Sequence, residues 1–232
     1  MKFAPNLIVF DCDGTLADSQ HLLVEAMRLA FQSEGLAAPG RAAILRTVGL
    51  SLPETLQILA PEQYPGERNG LACSYREWCL TLRRQPNAEE PLFNGAASLL
   101  FNLAAKEDVL LGIATGKSSR GVARFIEQNG LNGLFATIQT ADNAPSKPHP
   151  AMLLQAMEET GAVPGTTVMI GDTSYDMIMA ACANVTGIGV SWGYHSAAGL
   201  KRAGAKTVVN SFAGLEGLLS GREPALQLEA VA

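Results

Sequence analysis

The feature that most limits how this 232-residue chain can fold is a series of short apolar runs set among helical patterns. The runs are NLIVF (6–10), LLGIAT (110–115), TVMIGD (167–172), TGIGV (186–190) and KTVV (206–209). Each has the length of a strand, and continuous apolar character suits strands buried on both faces. Helical periodicity fills 96–106, 121–129, 151–160 and 175–183, with Gly130 and Gly161 closing two of these stretches. Strand and helix in alternation predict an α/β fold with a parallel sheet covered on both sides. In such sheets ligands bind beyond the carboxyl ends of the strands. Three runs end there in a polar residue, namely Asp11, Thr115 and Asp172.

Between residues 17 and 90 the strands vanish. HLLVEAMRLAF (21–31), AAILRTV (42–48), SLPETLQIL (51–59) and LACSYREWCLTLRR (71–84) all carry helical periodicity, so a helical unit is inserted after the first strand. The expected division is a core of residues 1–16 and 91–232 with an insertion at 17–90. Ser51 and Glu54 flank Pro53 in the pattern of a capping box, marking a helix start. Seven of the eleven arginines lie in the insertion beside nine carboxylates, which reads as a solvated helical surface. Residues 221–232 read as a frayed tail.

A net charge of −5 excludes a general nucleic-acid binder, because affinity for a phosphate backbone needs a basic face. No apolar run reaches the length of a membrane span or a signal-peptide core. Cys12, Cys73, Cys79 and Cys182 show neither a CxxC spacing nor a disulfide framework, so free thiols in a cytoplasmic protein are expected. Cys12 should face away from its two acidic neighbours and serve packing.

Those neighbours raise the central question. In LIVFDCDGTL, Asp11 and Asp13 stand two apart, where an extended chain points both side chains the same way. Two carboxylates about 4 Å apart repel by roughly 4 kcal/mol at an effective dielectric of 20. Asp172 ends its own strand in GDTSYD, and a helix starting there would return Asp176 toward the same mouth. Converging carboxylates call for a cation, and an all-oxygen set suits Mg²⁺. Thr115 in ATGKS precedes a helix start able to hold an anion or simply to be capped. Lys147 lies in APSKPHPAM, where three prolines restrict the backbone.

Together DCDGTL, ATGKS, SKPHP and GDTSYD, in this order, resemble the four motifs of the haloacid-dehalogenase-like hydrolase superfamily. The helical insertion is similar to the cap of its phosphoglycolate-phosphatase-like branch. The resemblance implies a Rossmann-like core with residues 17–90 as an α-helical cap. It implies Asp11 as nucleophile, Asp13 as general acid and base, and phosphate contacts from Thr115, Gly116 and Lys147. It also implies Mg²⁺ held by Asp11, the Asp13 carbonyl and Asp172, with Asp176 in support. Retention of Asp13 points to phosphoryl transfer, since a halide leaving group needs no proton. The expected enzyme is a Mg²⁺-dependent phosphatase acting on a small, phosphoglycolate-like metabolite through an aspartyl phosphate. A sugar phosphomutase and a non-catalytic binding protein are the alternatives. His21 and Arg46 are candidates for substrate contact from the cap, whereas His149 and His195 read as structural. Asn184 stands where related sequences commonly place Gly, and Asn tolerates the left-handed conformation needed there. No nucleic-acid or membrane partner is expected, and the protein is expected to be a monomer or homodimer.

Overall fold

The LIVF run forms strand β1 (Leu7–Phe10), all four of its residues buried. The computed structural model describes residues 5–85 and 90–221. After β1 come α1 (Gln20–Ser33), α2 (Arg41–Leu45), α3 (Leu52–Leu59), α4 (Pro65–Leu82) and α5 (Ala96–Ala104). They are followed by β2 (Leu110–Thr115), α6 (Ser119–Gln128), β3 (Thr137–Thr140), α7 (Ala151–Thr160) and β4 (Thr167–Gly171). The chain continues through α8 (Ser174–Cys182), β5 (Thr186–Val190), α9 (Ala197–Arg202), β6 (Thr207–Val209) and α10 (Phe212–Leu219).

The strands form one sheet in the order β3-β2-β1-β4-β5-β6, and every pairing is parallel. Phe10 is in register with Ile113 on one side and Ile170 on the other. That register lines up the carboxyl ends of β1, β2 and β4 and brings Asp11, Thr115 and Asp172 to one mouth. Alternation along β1 sends Ile8 and Phe10 into a core shared with Leu100 and Phe125. Leu7 and Val9 face the opposite way, toward Met152, Leu153 and Met179. Cys12 lies in the first of these cores, as its position in the strand pattern predicts.

β3 is absent from the sequence-based reading. Its TIQT carries one strongly apolar residue, and that residue, Ile138, is exposed. The buried positions are polar and satisfied locally, with Gln139 donating to Thr137 (2.9 Å) and Thr137 donating to Glu159 (2.5 Å). Hydropathy gives no signal for such a strand.

Helices α1 to α4 enclose a separate apolar cluster that includes Met27, Phe31, Ile44, Leu56 and Leu71. The chain enters and leaves this helical region side by side. The Asp18 N–H donates to the Pro91 carbonyl and the Phe93 N–H to the Leu16 carbonyl, both at 2.9 Å. The connection between α2 and α3 rests on the carboxyl end of the sheet. Ser51 is the N-cap of α3 as expected, but its side chain makes no capping bond. Its N–H, which Glu54 would accept in a capping box, instead donates to the Ser146 hydroxyl (2.8 Å). Docking thus replaces the box.

Asn184 takes φ 58° after α8, the single non-glycine residue with positive φ among those described. Most of the expected tail, residues 222–232, lies outside the described residues. Among the described residues no helix is long and apolar enough to cross a membrane.

Candidate active site

Asp11 follows the central strand and is almost completely buried. Its Oδ1 accepts from the Cys12 N–H (2.7 Å) and pairs with Lys147 Nζ (2.9 Å). Its Oδ2 is buried without a hydrogen-bond partner. Lys147 reaches between two carboxylates, since Asp176 Oδ1 also lies 2.6 Å away. The second oxygen of Asp176 accepts from the Thr173 N–H (3.0 Å) and hydroxyl (2.7 Å), while the Asp176 N–H donates back to Thr173 (3.4 Å). This capping box fixes Asp176 at the start of α8.

Asp172 accepts from the Thr15 hydroxyl and from the Tyr194 N–H, each at 2.8 Å. Two glycines make room for it. A Cβ on Gly193 would stand 2.2 Å from Asp172 Oδ2, and one on Gly14, which has φ +85°, would stand 2.4 Å from the same oxygen. Oxygens of Asp11, Asp172 and Asp176 all lie within 4.8 Å of one another.

Three buried carboxylates therefore share one buried ammonium, a deficit of two positive charges. The strain appears in their titration. Burial pushes Asp11 up to about 7, with the Asp176 charge adding to it against the pull of Lys147. Burial, then the charges of Asp11 and Asp176, hold Asp172 well above the usual carboxylate range. Burial works against the Lys147 ammonium, but Asp11 and Asp176 outweigh it and raise its pKa. A partnerless carboxylate oxygen, an all-oxygen donor set and a twofold charge deficit fit a hard divalent cation.

Asp13 belongs to a different network. Its Oδ1 accepts from Ser19 Oγ and pairs with Lys117 Nζ at 2.5 Å. Lys117 also contacts Glu90 (2.6 Å), and Glu90 is held in turn by Arg83 (2.6 Å). Burial opposes the charge on Lys117, yet Asp13 and Glu90 raise its pKa. For Glu90 burial acts upward, and Lys117 and Arg83 together bring it below the usual value. Each of the two neighbouring aspartates thus has its own lysine.

Thr115 is buried at the end of β2, where its hydroxyl accepts from the Lys117 N–H (3.3 Å). Thr115, Gly116, Lys117 and Asp13 line a cavity of about 720 Å³ beneath α1 to α4. The connection from Thr47 to Leu52 also lines it. Gly116 meets that connection directly, because a Cβ there would stand 2.4 Å from the Leu50 carbonyl oxygen.

The candidate residues Asp11, Lys147, Asp172 and Asp176 come together in one cluster, and Asp13, Thr115 and Gly116 meet at the adjoining cavity. His21 and Arg46 are exposed and do not line that cavity. Arg46 contributes its backbone instead, its carbonyl accepting from Tyr175 Oη (3.1 Å) and lying 3.2 Å from His195 Nε2. His195 Nδ1 accepts from the Ser174 N–H (3.0 Å), and His149 Nδ1 accepts from the Ala151 N–H (3.2 Å). Each of these two rings thus accepts from a backbone N–H at a helix start. Sequence reasoning missed Lys117 and Glu90. Lys117 stands two residues beyond Thr115, the same spacing that singles out Asp11 and Asp13, whereas nothing local marks Glu90.

Residues 8–190 match the haloacid dehalogenase-like hydrolase family. The chain belongs to that family. It is 35% identical over 215 residues to a protein named probable phosphatase IndB from Dickeya dadantii, covering 91% of this chain and 92% of that one. It is 28% identical to a phosphoglycolate phosphatase from Rhodospirillum rubrum over 95% of this chain and 93% of that one. Among solved structures, a hydrolase from Pseudomonas syringae is 28% identical, with a TM-score of 0.80 over 93% of this chain and 98% of its own. These similarities place this haloacid dehalogenase-like hydrolase in the phosphoglycolate-phosphatase-like branch, and its six-stranded sheet is the Rossmann-like core of the family.

Proposed function

We propose that the chain is a Mg²⁺-dependent phosphatase that hydrolyses a small phosphate monoester through a phosphorylated Asp11. The observation that carries this reading is the Asp11 carboxylate, whose Oδ2 is buried without a partner while its Oδ1 is paired with Lys147. Residues 17–90 act as a cap over a core of residues 1–16 and 91–232. Four free cysteines suit a reducing cytoplasm.

Asp11 attacks phosphorus while Lys147 and Thr115 hold the non-bridging oxygens. The bond to the leaving oxygen breaks, and Asp13 gives that oxygen its proton. Asp13 then takes a proton from water as that water attacks the phosphoryl group on Asp11, releasing phosphate and the free carboxylate. When Mg²⁺ is bound, held by Asp11, Asp172 and the Asp13 carbonyl with Asp176 behind them, its charge offsets repulsion between carboxylate and phosphoryl oxygens. Lys117 keeps Asp13 in place between the two half-reactions. The docked connection from Thr47 to Leu52 limits water at the mouth.

A phosphoglycolate-like substrate, with a phosphate and a second anionic group, is supported by the relative of that name in Rhodospirillum rubrum. The test is phosphate release from a panel of phosphorylated metabolites with Mg²⁺ and with chelator. Turnover should require metal and disappear in Asp11→Asn. Metal-independent turnover, or activity retained in Asp11→Asn, would overturn the mechanism.

A further inference from the structure

The cavity is larger and more basic than a two-carbon substrate requires. With the cap connection docked it still measures about 720 Å³, a volume typical of sites for ligands far bigger than glycolate. Its cap side presents Leu23, Met27, Ile44, Leu50 and Tyr75, an apolar wall unsuited to a short dianion alone. Its other lining is arginine-rich. Arg76 and Arg83 lie on and just beyond α4, and Arg120 and Arg124 lie one turn apart on α6.

Only one of these four is neutralised. Arg83 pairs with Glu90, whereas Arg76, Arg120 and Arg124 have no carboxylate within ion-pair distance among the described residues. Three acids share the lining: Asp13 is paired with Lys117, Asp142 accepts from the Ser119 N–H (2.7 Å), and the third is Glu127. Arg124 is only partly exposed. One of its terminal nitrogens donates to the Arg83 carbonyl (3.2 Å), and its Nε is buried without an acceptor. A guanidinium left so incompletely satisfied favours an incoming anion. In a chain of net charge −5, such a concentration of unpaired positive charge beside the catalytic floor is a recognition feature.

We infer that the substrate is an extended phosphate monoester, with an apolar or ring-bearing body against the cap wall and a second anionic group at its far end. Arg76, Arg120 and Arg124 read that far group. This rests on the phosphatase reading and relocates second-anion recognition from Arg46, which does not line the cavity, to the cavity-lining arginines of α4 and α6.

The experiment compares kcat/KM for ω-carboxyalkyl phosphates, from phosphoglycolate to chains of about eight carbons, with uncharged n-alkyl phosphates of equal length. A longer carboxylated ester should exceed both phosphoglycolate and its uncharged counterpart by about tenfold or more. That advantage over the counterpart should shrink severalfold in Arg124→Gln and in Arg76→Gln. The inference is overturned if phosphoglycolate is the best substrate, if the carboxylate brings no advantage at any length, or if the advantage survives in both variants. Hydrolysis of alkyl phosphates with no carboxylate effect would sink this inference alone. No hydrolysis of any ester in Mg²⁺ would sink the phosphatase reading with it.

Discussion

Lys117 Nζ lies 2.5 Å from Asp13 and 2.6 Å from Glu90, so a single buried ammonium joins the proposed acid–base carboxylate to the segment where the chain returns from the helical region. Glu90 immediately precedes Pro91, whose carbonyl accepts from the Asp18 N–H at 2.9 Å. Ser19, which donates to Asp13, stands on the outgoing segment. Asp13 is therefore held from both connections of the helical region.

Lys117→Met keeps the side-chain stem but leaves Asp13 and Glu90 buried near one another without their shared cation. Breaking such a pair should cost about 3–5 kcal/mol of stability, read as a lowered Tm. Glu90→Gln is the milder variant, since the amide oxygen can keep one of the two hydrogen bonds, to Lys117 or to Arg83, while the charge is lost. It should lower kcat/KM about tenfold on alkyl phosphates, whose leaving oxygen needs a proton. An aryl phosphate with an acidic leaving group should lose much less. Equal losses on both ester classes would show that Glu90 supports the fold and not Asp13.

The metal-free site should make stability depend on pH in an unusual direction. Asp11 has an ordinary carboxyl pKa of 3.8 when unfolded and about 7 in the fold, so the folded chain binds the extra proton between those values. The associated stability is full below about pH 3.8 and lost as pH rises through about 7, and the upward shift of Asp172 acts in the same sense. For Asp11 the difference is about 4 kcal/mol at most. In chelator, Tm should fall between about pH 4 and pH 7. Millimolar Mg²⁺ should flatten the decline, and Asp11→Asn should remove part of it. A Tm that rises with pH across this window in chelator would contradict the assignment.

Much of this site is legible in the chain because the chemistry sits at strand ends, and strand ends are marked by hydropathy. Asp11, Thr115 and Asp172 each terminate an apolar run, and parallel register then gathers them without further information. Lys147 and Asp176 are found by motif. What hydropathy cannot show is pairing across the fold. Glu90 meets Lys117 only because the returning segment lies against the start of α6, and β3 hides behind buried polar residues that satisfy each other. Arg46 illustrates the converse. Its place in the docking connection is visible in sequence, but the contact there is made by its carbonyl, which any residue would supply.

Asp172 gives a sharper test of the proposed metal site through residues outside the proposed ligand set. A Cβ on Gly193 would approach Asp172 Oδ2 to 2.2 Å, so Gly193→Ala must displace either the carboxylate or the backbone that holds it. Apparent Mg²⁺ affinity, measured from the metal dependence of phosphate release, should weaken about tenfold or more. Ala substituted at Gly165, where a Cβ meets nothing within 4 Å, is the matched control and should leave that affinity unchanged.

Gly116 tests the docking of the helical region on the core. A Cβ at this position would stand 2.4 Å from the Leu50 carbonyl oxygen and 2.8 Å from that of Gly49, and backbone carbonyls cannot yield as a flexible side chain can. Gly116→Ala therefore should hold the connection off the core while leaving the sheet, Asp11 and Lys147 in place. The Ser51 to Ser146 hydrogen bond would be lost with it. Because a lifted cap admits water and removes one wall of the cavity, kcat/KM for the preferred substrate should fall by about 10²-fold. A small aryl phosphate, which uses little of that wall, should fall less, and Tm should change by only a few degrees. Faster cleavage by protease within the connection would confirm that it has lifted. If Gly116→Ala retains full activity on every ester, the docked arrangement is not the one in which phosphate is transferred.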